Sequence, residues 1–207
     1  MRITEHGAAP RGRAAATAAR RAQIIEAAIE VLAELGYVGT SFDVIAARAS
    51  LSSKRLITYH FETKERLYAA VLAEVFDRAA RYMSPLIAEH SGYRAKFLAY
   101  IRSNLRFLAE SPREMRAVGE IVFNASAVVE GAQAASDTAR ERLVAAFREG
   151  QRAGEFRRFD PEVMATTVRS AIDGAGARFA EGADAAAYAE ELVALFDRAT
   201  RKAGDDE

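Results

Sequence analysis

Apolar positions recur along this chain with the period of an α-helix almost from end to end. Ile24, Ala28, Val31 or Leu32, and Leu35 fall at i, i+4, i+7 and i+11, a single helical face. Gly36 predicts the stop, because glycine enters the left-handed cap conformation without a Cβ clash. Thr40, with Asp43 three residues on, predicts the N-cap of a short second helix whose buried side is Phe42, Ile45, Ala46 and Ala49. A turn at Ser50–Leu51 ends it. Ser52 then predicts the cap of a third helix running to Phe61, with Leu56 and Ile57 facing inward. Arg55 stands where a capping glutamate is usual, which suits a helix end turned towards phosphates. Thr63 predicts the cap of a longer fourth helix carrying Leu67, Val71, Val75 and Phe76 on its apolar side.

Beyond residue 80 the helical pattern continues, with breaks expected at Ser84–Pro85, Ser91–Gly92, Ser111–Pro112, around Gly131, from Gly150 to Pro161, and at Gly182. These breaks predict helices near 93–110, 112–126, 134–152, 161–180 and 185–202, and no strand pattern competes with them. The expected fold is all-α with about nine helices. Residues 1–19 lack hydrophobic period and carry Arg2, Arg11 and Arg13 against Glu5, with Arg20 just beyond. They are expected to form a flexible basic arm, either an unstructured tail or an extension that touches the minor groove or phosphates.

Composition narrows the function. Half of the 207 residues are apolar and 28% are charged, as in ordinary globular domains. Without cysteine there are no disulfides or thiolate metal sites, and a reducing cytoplasmic setting is expected. No apolar run approaches the roughly 18 residues that span a bilayer, so no membrane partner is expected. Net charge is zero, yet residues 1–68 hold ten Lys/Arg against seven Asp/Glu and the remainder nineteen against twenty-two. A basic end needs only a few well-placed cations to displace counterions from DNA. Enzymatic signals are weak: His6, His60 and His90 lie far apart, and no nucleophile elbow or phosphate loop occurs. Gly174-Ala175-Gly176 follows no strand and lacks nucleotide-loop spacing. No enzyme activity and no cofactor are expected. A helical interaction adaptor remains the other alternative.

The stretch RRAQIIEAAIEVLAELGYVGTSFDVIAARASLSSKRLITYHFETKERL resembles the DNA-binding domain of TetR-type (tetracycline-repressor-like) regulators. The resemblance rests on a first helix ending in LGY, Thr40–Ser41, IAARA, an S-K-x-L-I-x-Y-H-F third helix, and TK-E-x-L from Thr63 to Leu67. It departs in two places. Ser50 stands where the family has glycine, and Ser52–Phe61 is one residue longer, so Thr58 falls where many relatives carry tyrosine. The resemblance implies a helix-turn-helix domain over 20–68 and a helical effector-binding and dimerisation domain over 69–207, making a ligand-responsive homodimeric repressor of a palindromic operator. A third helix in the major groove would place Lys54 and Arg55 against base edges or phosphates, with Ser52, Ser53 and Thr58 beside them. Tyr59, His60, Lys64, and Thr40 and Ser41 would meet the phosphate backbone.

GQRAGEFRRFDPEVMATTV (150–168) resembles the family's link into the last two helices. In such proteins the central helices enclose a small-molecule effector. The residues that could wall such a pocket are Phe97, Tyr100, Asn104, Phe107, Met115, Ile121 and Asn124, which equally suit a filled core. Candidate dimer contacts are Ala171, Gly174, Ala175 and Arg178 with Leu192, Leu195 and Phe196.

Overall fold

The computed structural model describes residues 9–202, with side chains described at 12–125, 128 and 136–202. Among these residues the structure is all-helical: α1 (Ala9–Gly39), α2 (Phe42–Arg48), α3 (Arg55–Phe61), α4 (Lys64–Ala88), α5 (Tyr93–Glu110), α6 (Pro112–Asn124), α7 (Ser126–Arg152), α8 (Pro161–Ala180) and α9 (Ala185–Thr200). No helix among them is long and apolar enough to cross a membrane. The chain forms two compact units, residues 1–74 with 116–128, and residues 75–115 with 129–207. The division at 74/75 falls within α4, six residues beyond the expected 68/69, and residues 116–124 of α6 belong to the first unit. Ala117 and Ile121 there are fully buried, and Arg116 donates to the Ala33 carbonyl at 3.4 Å.

In the first unit the α1 face predicted from periodicity is buried at Ile24, Ala28, Val31 and Leu32, while Leu35 is half exposed. Ile45 and Ala46 of α2, Ile57 and Phe61 of α3, and Leu67 and Val71 of α4 are buried with it. Gly36 does break α1: its φ of 69° and ψ of −179° separate the final turn from the rest of the helix. The expectation for residues 1–19 changes where it can be compared. Residues 9–19 continue α1, as their alanine content favours, and residues 1–8 lie outside the described chain.

Two predicted caps shift. Ser41, not Thr40, caps α2, its Oγ accepting from the Val44 amide at 3.3 Å. Thr40 is buried and donates its hydroxyl to the Gly36 carbonyl at 2.6 Å, so it closes the preceding break instead. α3 begins at Arg55 rather than beside Ser52, after a turn in which Ser53 Oγ accepts from the Arg55 amide at 3.2 Å. Thr63 caps α4 as expected, accepting from the Arg66 amide at 3.2 Å. α4 passes through Pro85, and α7 runs through Gly131. Pro85 has no amide to donate to the Arg81 carbonyl, so the last turn of α4 runs with one backbone bond fewer.

The second unit is built on α5, α8 and α9. Phe97 sits edge-on to Phe147, Phe156 and Phe196, with ring centroids 4.9, 6.0 and 6.4 Å away. Ile101, Leu105, Val168, Ile172 and Val193 complete the core around them. Asp160 and Asp184 cap α8 and α9, each accepting two backbone amides. Arg94 makes a bidentate pair with Asp197 at 2.7 and 2.9 Å, fastening α5 to α9.

Candidate nucleic-acid interface

The turn between α2 and α3 is set by how α2 ends. The Leu51 amide donates to the Ala46 carbonyl at 2.8 Å and the Ser50 amide to Ala47 at 3.1 Å, the paired bonds of a Schellman cap. Ser50 occupies the left-handed position with φ 52°, where glycine would meet no steric penalty. Gln23 of α1 donates to the Ala49 carbonyl at 2.7 Å, satisfying another acceptor at the same helix end.

α3 is held from its C-terminal end. The Arg21 guanidinium donates to the His60 carbonyl and lies 4.2 Å from the centre of the Phe61 ring. With Ile57 and Phe61 turned inward, the opposite face presents Arg55, Thr58 and Tyr59 to solvent. Tyr59 is 79% exposed, which is unusual for so large a ring in an ordered helix. Ser41, Ser52, Ser53 and Lys54 are also exposed. Lys54 pairs with Asp43 at 2.8 Å across the turn, whereas Arg55 has no side-chain partner among the described residues. His60 is half-buried beside Tyr59, and its imidazole is held below the usual histidine range by burial first, then by Arg21 and Arg20.

Lys64, at the start of α4, lies over two rings, 4.5 Å from the centre of Tyr37 and 5.4 Å from that of Tyr68. Of the ten residues predicted to meet DNA, nine are exposed or half-buried on the helix-turn-helix. Thr40 is the correction: it is only 2% exposed and its hydroxyl is engaged. The sequence reading missed Arg21, Gln23 and Arg48. Arg48 bonds Glu30 at 3.2 Å and Glu34 at 2.5 Å, and both carboxylates hold it charged. All three act across long separations, so local spacing carries no sign of them.

The residues predicted for effector and dimer contacts separate. Phe97 and Phe107 belong to the apolar interior of the second unit, and Phe107 packs against Tyr82 with centroids 5.6 Å apart. Tyr100 accepts from Arg169 at 2.9 Å, and Asn104 returns its amide to the Tyr100 carbonyl at 2.8 Å. Met115 is half-buried. Ile121 and Asn124 lie in the first unit, one fully buried and one exposed. Two shallow surface depressions, of about 300 and 360 Å³, touch none of these seven residues. Phe97 and Ile121 are buried among the apolar residues of their units. Ala175 and Phe196 are likewise buried inside the second unit, so their side chains cannot meet a second copy. Gly174, Arg178 and Leu195 remain exposed, while Ala171 and Leu192 are half-buried.

Residues 24–71 match the family model described as bacterial regulatory proteins, tetR family. The Escherichia coli HTH-type transcriptional regulator RutR is 32% identical over 106 residues, 50% of this chain and 48% of RutR. The chain therefore spans about half the length of the curated relatives it matches. Among solved structures, a TetR transcription regulator from Haloarcula marismortui superposes with a TM-score of 0.78 at 22% identity, covering 89% of this chain and all of that one. AibR, solved with isovaleryl coenzyme A and operator DNA, superposes with a TM-score of 0.69 at 20% identity, covering 85% of this chain and 97% of AibR. Residues 24–71 thus form a DNA-binding-domain segment similar to that of the tetR family of bacterial regulatory proteins.

Proposed function

We propose that this protein is a homodimeric, ligand-responsive transcription repressor that binds a palindromic operator. The observation that carries the reading is the solvent face of α3, where Arg55, Thr58 and Tyr59 stand exposed beside Lys54. In a major groove, Arg55 would meet guanine O6 and N7, while Tyr59, His60 and Lys64 would position the phosphates. The dimer would use the exposed sides of α8 and α9, where Gly174 has open space above it and Leu195 is 54% exposed. Two copies so joined would set their recognition helices roughly 34 Å apart, one turn of the duplex. Phe97, Tyr100, Asn104, Phe107 and Met115 are the candidates to meet a small effector in the second unit. That effector would act through unequal affinity for two spacings of the DNA-binding heads. AibR, with its acyl coenzyme A and operator, supports looking among small organic ligands.

The test is an electrophoretic mobility assay with the DNA upstream of the protein's own gene, over a series of salt concentrations. Retardation of that duplex but not of unrelated DNA, weakening as salt rises, is expected. Failure to retard it even at low salt sinks the reading.

A further inference from the structure

We infer that Glu120, through Tyr37, is a positioning residue for the Lys64 ammonium in DNA binding. This rests on the proposal that Lys64 meets a phosphate.

Because Gly36 leaves helical conformation, the amide of Tyr37 loses its helical acceptor. Glu120 of α6 replaces it: its Oε2 accepts from that amide at 2.8 Å. The same oxygen lies 3.2 Å from where a Cβ on Gly36 would stand, so the carboxylate is seated directly against the break. Arg116, one helical turn earlier on α6, donates to the Ala33 carbonyl at 3.4 Å, so α6 holds α1 on both sides of Gly36. On the far side, Thr40 returns its own amide to the Tyr37 carbonyl at 3.3 Å.

Tyr37 is thereby fixed in backbone and ring. Its ring tilts against Tyr68, with centroids 5.6 Å apart, and the two rings floor the position of Lys64. The Lys64 ammonium also lies 3.5 Å from the Tyr37 carbonyl. A lysine in solution samples many rotamers, and gathering them at one place opposes binding. Aromatic faces under the ammonium hold it before any phosphate arrives, without neutralising it as a carboxylate would. Its place at the first turn of α4 adds the positive end of that helix to the same point.

The measurement is the slope of log affinity against log salt, for a labelled duplex from upstream of the gene, taken on the active fraction of each variant. Loss of one phosphate contact lowers the slope by about 0.9. Lys64→Ala is expected to lose that amount. Glu120→Ala is expected to lose the same, and Glu120→Gln, whose amide oxygen still accepts from Tyr37, to keep the wild-type slope. Tyr37→Leu should lose it and Tyr37→Phe keep it, which carries the test if Glu120→Ala does not fold. A wild-type slope in both Glu120→Ala and Tyr37→Leu, alongside a lowered one in Lys64→Ala, overturns the positioning role and leaves the phosphate contact standing. A wild-type slope in Lys64→Ala overturns both. A damaged fold alone would lower the active fraction without moving the slope.

Discussion

Many arginines of the second unit meet carboxylates, among them Arg94 with Asp197, Arg102 with Glu190, Arg140 with Glu162, Arg169 with Asp173 and Arg178 with Glu181, while Arg157 and Arg198 donate to backbone carbonyls. The first unit pairs Arg48 and Arg66 in the same way, but on the solvent face of α3 Arg55 meets none among the described residues. Lys64, on the next helix, rests on aromatic rings. Exposed ion pairs contribute little stability, so the contrast matters for the field outside the protein rather than for its folding. Paired charges cancel within a Debye length, whereas unpaired ones project. A chain of zero net charge can therefore present a cationic surface in one place.

The most direct way to break this contrast is to remove one cation from each side. Arg55→Ala should weaken binding to the upstream duplex by about 1–3 kcal/mol and relax base preference. Arg102→Ala, from an exposed pair in the second unit, should leave affinity unchanged. Fluorescence anisotropy at fixed salt measures both, and equal losses would end the distinction.

Arg94→Ala tests the other half of the comparison. The Arg94–Asp197 pair is only partly exposed and bidentate, so its loss should lower stability by about 1 kcal/mol in urea denaturation. Asp197 is held below the usual carboxylate range, chiefly by its hydrogen bonds to Arg94. Its contribution is therefore present above the unfolded value near 3.8 and lost as pH falls through the lowered one. Affinity of the folded protein for DNA should not change. If it falls tenfold, this pair serves more than the fold.

Some helix boundaries of the second unit were legible because they depend on local chemistry, although the breaks expected at Ser84–Pro85 and around Gly131 lie inside α4 and α7. The predicted spans 93–110 and 161–180 match α5 and α8, whose limits are set by glycine, serine, proline and aspartate nearby in sequence. Which face of each helix was core was less legible. Phe196 and Leu195 are neighbours, yet one is 2% and the other 54% exposed, and that choice is made by Phe97, about a hundred residues away. In the first unit the helix-turn-helix was legible down to Thr63, but the one-residue exchange between Thr40 and Ser41 was not. Both are competent caps, and only the Gly36 carbonyl decides between them. Ser50 is a case where sequence and structure agree on strain: it occupies the position expected of glycine and has the positive φ that glycine would tolerate. Ser50→Gly should raise stability by about 0.5 kcal/mol, the left-handed penalty outweighing the entropy that glycine adds to the unfolded chain. Thermal melting checks it, and a lowered melting temperature would mean that the serine side chain contributes a contact of its own.

Protonation of His60 is expected to have a small effect, but it reports the local potential directly. His60 is depressed by burial and then by Arg21 and Arg20, so the cations around it are not cancelled. The unfolded chain takes up this proton near its ordinary value of about 6.5. The folded one does so lower, so the folded state binds fewer protons between the two values. Stability from this site is then complete above about pH 6.5 and declines as pH falls towards the lowered value. Urea denaturation at about pH 7.5 and at about pH 5.5 should show a small loss that His60→Gln removes. DNA should act in the opposite direction. A phosphate beside His60 favours the imidazolium, so binding should take up protons and strengthen as pH falls through this range, in wild type but not in His60→Gln. If the two proteins share one pH profile for binding, His60 faces no phosphate, and the uncompensated charge on this surface belongs to the arginines and Lys64 alone.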